Sequence, residues 1–270
     1  MWGRRGVKSV LLLPAMRGID PSPGLFVLIY HRVGAGMAAE MDVSAARFAE
    51  QMRMLQERSD VVPLADGLAE LAEGRAPERD RVAVTFDDGY ADVFTNAWPV
   101  LRDLGIPATV FVTTDFLEGR MDAPLSRAIP SRVPPRALAW EQVGEMTATG
   151  LVAIGSHSAT HPDFDRISSD RAAQEVELAA DLIASRTGAQ PEIFAFPRGV
   201  VAHRDAVAAR HRFALGADGQ KNRVASFDPL AVSRTPVRRS DGMFFFRRRL
   251  AGMRPLEDRV YARLKRRGSG

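Results

Sequence analysis

From Leu25 onward the chain alternates short apolar runs with longer amphipathic ones, and that rhythm confines it to a parallel sheet or barrel wrapped by helices. Residues 25–31, 81–88, 108–114, 151–157, 193–197 and 213–217 read as strands, with strand-like pieces at 61–64 and 231–237. Between them, residues 44–58 open on a capping serine and place Phe48, Met52 and Leu55 on one helical face. Residues 168–187 repeat the plan through Ala172, Val176, Ala179 and Ile183, with Gly188 as the C-terminal stop. Residues 140–146 and 256–265 read as further helices.

A 270-residue chain with 46% hydrophobic and 26% charged residues has the balance of a soluble globular protein, and no apolar stretch in it is long enough to span a membrane. One α/β domain over residues 21–253 is expected, preceded by an appendage at 1–20 and followed by a basic helix and tail at 254–270. The start is basic, but its apolar run is short and lacks a small-residue cleavage site before Pro14, so a cytoplasmic or membrane-peripheral location is expected.

Net charge is +4, carried by arginine, with lysine only at 8, 221 and 265. Basic clusters at 247–249 and 263–267 read as a solvated face or as a contact for an anionic membrane. Nothing in the pattern indicates nucleic-acid binding. Oligomeric state leaves no mark in the sequence.

Residues 117–137 interrupt the rhythm with Pro124, Pro130, Pro134 and Pro135, a long connection of the kind that is either functional or disordered.

Four strand ends carry reactive or unusual groups: Tyr30-His31, Asp87-Asp88, His157 and Pro197-Arg198-Gly199. In parallel α/β folds the strand C-terminal ends share one rim, where sites are built. Strict alternation would send Asp87 and Asp88 to opposite faces, so both can serve one site only if the backbone leaves its pleat, a break expected at Gly89. His157 and His161 have the i, i+4 spacing that puts two imidazoles on one side of a helical turn. With no cysteine in the chain, a metal would have to be held by His, Asp or Glu. One aspartate with the two histidines makes a three-ligand set with an open position, and the other aspartate is then free to accept a proton from water.

The stretches Thr85-Phe-Asp-Asp-Gly89 and His157-Ser-Ala-Thr-His161, in this order and each after a strand, resemble the first two motifs of the polysaccharide deacetylases of carbohydrate esterase family 4. That resemblance, over roughly residues 25–250, implies a single-domain distorted (β/α)7 barrel of TIM-like type and metal-dependent removal of acetyl groups from sugars. It assigns Asp87 as general base and Asp88, His157 and His161 as ligands of a divalent metal, Zn2+ first, with Co2+ or Ni2+ as alternatives. Phe194-Ala-Phe-Pro-Arg-Gly199 is similar to the third motif, R-x-P-x-G, in which the amide of Arg198 would bind the oxyanion.

That motif's leading arginine, which orients the base, is Ala195 here, and Arg198 or Arg234 is expected to replace it. Leu28-Ile-Tyr-His-Arg-Val33 resembles the motif of the poly-N-acetylglucosamine deacetylases, in which the segment bearing the general acid stands at the front of the chain; His31 is then the acid. Tyr30, Tyr90, Pro197 and Trp140 are the expected substrate contacts. The substrate implied is an N-acetylhexosamine glycan or glycan precursor. A small non-sugar amide and a carbohydrate-binding pseudoenzyme are the alternatives.

Overall fold

The computed structural model describes residues 22–124 and 135–250. The expected appendage at 1–20, the helix at 256–265 and much of the proline-rich connection lie outside them. Among the described residues no helix is long and apolar enough to cross a membrane.

Seven parallel strands form the frame: β1 (Leu25–Tyr30), β2 (Arg81–Phe86), β3 (Ala108–Val112), β4 (Val152–Ser156), β5 (Ile193–Ala195), β6 (Phe213–Leu215) and β7 (Thr235–Pro236). They pair in the order β7-β1-β2-β3-β4-β5-β6. The segment that carries β7 also borders β6: the Val232 amide donates to the Ala214 carbonyl at 2.9 Å, and the Gly216 amide donates to the Val232 carbonyl at 2.8 Å. One segment therefore touches both ends of the strand order, and the sheet curls into a distorted barrel. Its thinnest seam is β4 against β5, where Ser156 opposite Phe194 is the one registered pair.

The expected strands at 25–31, 81–88, 108–114, 151–157, 193–197 and 213–217 are all present, but each leaves the ladder one or two residues early. Left-handed backbone at Asp88, Ser158 and Arg198 explains three of those endings, because a residue at positive φ cannot continue a strand. The piece at 61–64 divides: Asp60–Val61 pairs with the start of β2, and Leu64 already opens a helix behind Pro63.

Five helices matter to the core: α1 (Ala45–Arg58), α2 (Leu64–Ala72), α3 (Trp98–Leu104), α4 (Trp140–Thr147) and α5 (Ser169–Thr187). The Ser44 and Ser168 side chains cap α1 and α5, and Gly188 ends α5 in the left-handed conformation at φ 77°.

Strand parity divides the apolar residues into two layers. Phe26, Leu28 and Tyr30 of β1 and Val82, Val84 and Phe86 of β2 join Phe48, Met52 and Leu55 of α1 and Trp98 and Leu101 of α3 outside the sheet. Leu25, Val27, Ala83, Phe111, Ile193, Ala195, Phe213, Leu215 and Val232 fill the interior, and Leu64, Leu68 and Leu71 of α2 close the end where the strands begin. The other end of the barrel is left for polar groups.

Gly155 shows how tightly that interior is filled. A Cβ on it would lie 2.3 Å from the Phe111 ring and 3.0 Å from the Ile193 carbonyl oxygen. Gly155→Ala is expected to lower the unfolding free energy by about 1–3 kcal/mol through overpacking, read from the midpoint of urea denaturation. An unchanged midpoint would mean that the Phe111 ring yields freely.

Candidate active site

Parity continues past the strand ends and aims the polar groups inward. Ala83, Thr85 and Asp87 share one face of β2, Gly155 and His157 one face of β4, and Val232 and Arg234 one face of the segment entering β7. The first member of each series lines the interior, and the last stands at the mouth.

There Arg234 and Asp87 form a two-pronged pair, Nη1 donating to Oδ1 at 2.6 Å and Nη2 to Oδ2 at 2.9 Å. The guanidinium is fully buried; its Nε donates to the Gly216 carbonyl at 3.0 Å, and its carbon lies 5.3 Å from the centroid of the Phe111 ring. Of the two arginines that the sequence offered as partners for Asp87, the structure pairs Arg234. The Arg198 side chain is exposed and reaches Asp163 at 2.5 Å instead.

The pleat breaks at Asp88 itself, which adopts φ 75°, one residue before the expected Gly89. Gly89 continues the turn at φ 85°, where a Cβ would lie 2.7 Å from the Leu117 side chain. Asp88 Oδ1 thereby comes within 3.5 Å of His157 Nε2 and 3.4 Å of His161 Nε2. Neither Asp88 oxygen has a hydrogen-bond partner among the described residues, although both are buried.

A buried carboxylate without donors is costly, and a cation seated among these three side chains would satisfy it. Their ligand atoms all lie within 4.8 Å of one another. His157 Nδ1 is 2.7 Å from the Ala195 carbonyl, which can only accept, so Nδ1 carries the hydrogen and Nε2 turns its lone pair toward Asp88. The donor set fits a divalent metal.

The two histidines meet differently from the expected helical turn. Residues 157–161 form a tight loop in which Ser158 at φ 65° and His161 at φ 54° are left-handed, and the His161 amide donates to Ser158 Oγ at 3.0 Å. The rings end 4.9 Å apart. A helix would need consecutive right-handed residues, which this segment lacks.

Burial acts against ionisation throughout the site, and the partners decide the outcome. It would push the Asp87 carboxyl up, but Arg234, with His157 and His31, holds it below the usual carboxylate range. Asp88 is held low in the same way, against burial, by His157, His161 and His31. Burial lowers His161 to about 4, whereas Asp87 and Asp88 overcome burial at His157 and raise it.

His31 is half-buried at the end of β1, near enough to both aspartates for its charge to bear on each. Its neighbours are tied down. The Tyr30 carbonyl accepts from the Asp87 amide at 2.9 Å, and Asp92 accepts from Arg32 Nε and from the Val33 amide, each at 2.8 Å. Asp92 was not anticipated, because an aspartate six residues past a strand end carries no signal of a contact across the mouth.

The expected substrate contacts fare unevenly. Tyr30 is turned behind the sheet by parity, fully buried, with its hydroxyl donating to Gln51 Oε1 at 2.9 Å; it is not at the site. The Tyr90 ring is buried under the Arg32 guanidinium, 4.7 Å away, and its hydroxyl donates to the Pro124 carbonyl. Trp140 opens α4, its indole N–H donates to Glu118 at 2.8 Å, and Arg186 lies over its ring. Pro197 is buried and begins the turn that puts Arg198 at φ 57°.

A sequence model described as polysaccharide deacetylase matches residues 74–214. Bacillus subtilis (strain 168) YxkH, a protein named as a polysaccharide deacetylase, is 26% identical over 175 residues, which are 64% of this chain and 56% of that protein. The chain thus spans about half the length of the curated relatives it matches. The Streptococcus pyogenes deacetylase PplD in complex with acetate shares the fold with a TM-score of 0.73 and 20% identity, over 87% of this chain and all of that one. IcaB from Ammonifex degensii shares it with a TM-score of 0.65 and 24% identity, over 80% and 92% of the two chains. Because the matched region holds both the aspartate pair and the histidine pair and spans more than half of the sequence, this chain belongs to the polysaccharide deacetylase family.

Proposed function

We propose that the protein is a metal-dependent deacetylase that hydrolyses the N-acetyl group of an N-acetylhexosamine unit. The observation that carries this reading is the division of the aspartate pair, with Asp87 clamped by Arg234 and Asp88 left unbonded beside His157 and His161.

Asp88, His157 and His161 would hold the cation, Zn2+ or, in its place, Co2+ or Ni2+. When bound, the cation lowers the pKa of water and polarises the acyl oxygen. Asp87, kept ionised by Arg234, accepts the proton of the attacking water as general base. The backbone amide of Arg198, carried on the Pro197 turn, donates to the developing oxyanion. His31, protonated, gives its proton to the amine nitrogen as the C–N bond breaks. Arg234 takes the place of the missing motif arginine at Ala195, which also argues against a pseudoenzyme.

The burial of Tyr30 and Tyr90 and the engagement of Trp140 favour a second reading, in which the same groups act on a small non-sugar amide that needs no aromatic stacking. The basic cluster at 247–249 is not the solvated face expected from the sequence: Arg249 is buried against Asp241 and Arg248 lies over the Phe244 ring, which leaves Arg247 exposed.

Chelator dialysis is expected to abolish acetate release from chitooligosaccharides, and added zinc, cobalt or nickel to restore it. Turnover by metal-free protein would overturn the reading. Activity restricted to small amides would favour the second one.

His31→Ala is expected to lower kcat by about 10²–10⁴-fold while bound metal stays unchanged. Loss of metal in that variant would count against His31 as the acid.

Replacing Arg234 removes what holds Asp87 low. Burial then pushes the carboxyl up, so the acid limb of the pH profile of kcat/KM is expected to move to higher pH in Arg234→Gln, which removes the charge. Stability has the matching sign. The Asp87 contribution is present above its unfolded pKa and is lost as pH falls through the lower folded value. Arg234→Ala, which strands a buried carboxylate, is expected to cost about 3–5 kcal/mol in denaturant unfolding.

A further inference from the structure

Glu175 lies at the edge of the buried face of α5 that Ala172, Val176 and Ala179 form, and is itself fully buried. A charged side chain in such a position needs partners, and the partners it has belong to the histidine loop. Its Oε2 accepts from the Thr160 amide at 2.7 Å and its Oε1 from the Thr160 hydroxyl at 2.7 Å. Its own carbonyl accepts from the Ala159 amide at 3.2 Å. Arg171, one turn earlier on α5, pairs with the same carboxylate.

One residue of α5 thus takes three hydrogen bonds from the two residues immediately before His161. The loop it grips is strained, with Ser158 at φ 65° and His161 at φ 54°. Left-handed backbone at non-glycine residues persists only where the surroundings hold it. From the front, the loop is met by the Thr114 amide, which donates to the Ser158 carbonyl at 3.3 Å, and by the Asp115 amide, which donates to the Ala159 carbonyl at 3.0 Å; from behind, it is met by Glu175. A carboxylate receiving two charge-assisted bonds is the stronger of the two restraints.

We propose that Glu175 is a positioning residue for the metal ligands. It locks the backbone at Ala159 and Thr160 so that His161 Nε2 faces Asp88 and His157 before any cation arrives. The role differs from that of Ser158, which bonds within the loop, because Glu175 fixes the loop to the body of the fold. A rigid ligand loop lowers the cost of ordering on binding, so affinity for the metal should depend on a side chain that never touches it. This inference rests on the reading of Asp88, His157 and His161 as metal ligands.

The test measures Co2+ and Zn2+ affinity by chelator competition for the wild-type chain, Glu175→Gln, Glu175→Ala and Thr160→Ala, with thermal unfolding recorded for each. Glutamine keeps one acceptor oxygen and loses the other, and Thr160→Ala removes the hydroxyl bond alone. Affinity is expected to fall in the order wild type, Thr160→Ala or Glu175→Gln, Glu175→Ala, by about 10–100-fold at the extreme. The visible spectrum of the Co2+ form should change in the Glu175 variants as His161 loosens.

If Glu175→Ala does not fold, Glu175→Gln and Thr160→Ala decide the matter. Folded variants that bind both metals as the wild type does, with an unchanged cobalt spectrum, would overturn the role of Glu175 and leave the metal reading intact. A wild-type chain that binds neither metal would overturn both.

Discussion

The buried ion pair between Arg234 and Asp87 is the contact on which the architecture of the site depends. Two charges can be taken out of water at the mouth of a barrel only if each satisfies the other, and here the match is two-pronged, with the Nε–H placed on the Gly216 carbonyl. The pair joins the segment entering β7 to the end of β2 across β1. Barrel closure and orientation of the carboxylate are therefore one event, because Arg234 can reach Asp87 only if Val232 has docked on β6 and Thr235 on β1.

Asp88 is the complement of that arrangement. Its neighbour has an Arg234 donor on each oxygen, whereas Asp88 has none among the described residues and is ringed by imidazoles. The left-handed turn at Asp88 separates these fates, since a continued strand would have buried the side chain in the outer apolar layer with Phe86 on its own face. Strained backbone recurs at Ser158, His161 and Arg198, all at the same rim. The loop that carries Ser158 and His161 is held from elsewhere in the fold by the Thr114 and Asp115 amides and by Glu175, so this part of the mouth is assembled by restraint more than by local preference.

Much of this was legible in advance. The strand and helix rhythm, the caps at Ser44 and Ser168 and the stop at Gly188 are local, and the structure has them where the pattern put them. The convergence of Asp87, Asp88, His157 and His161 followed from the shared rim of parallel strands. Tyr30 was misjudged because adjacency to His31 in sequence means opposite faces in a strand. The two helices at Leu64–Ala72 and Trp98–Leu104 were not read, being short and opening on prolines, Pro63 and Pro99, that also suit turns. Asp92 and Glu175 left no readable mark as partners of the site.

The sequence by itself determined the class of fold, the rim on which chemistry would gather and the residue types able to perform it, because hydrophobic period and motif spacing are properties of neighbours along the chain. It narrowed the partner of Asp87 to two arginines and could go no further. Arg198 is 111 residues from Asp87 and Arg234 is 147, and nothing local distinguishes them. Only the closed barrel did, by placing the Arg234 side chain on the inner face beside Thr85 and leaving that of Arg198 in solvent with Asp163. Which charge is buried, and against what, is decided by strands meeting across the whole length of the chain, and that is information no local stretch contains.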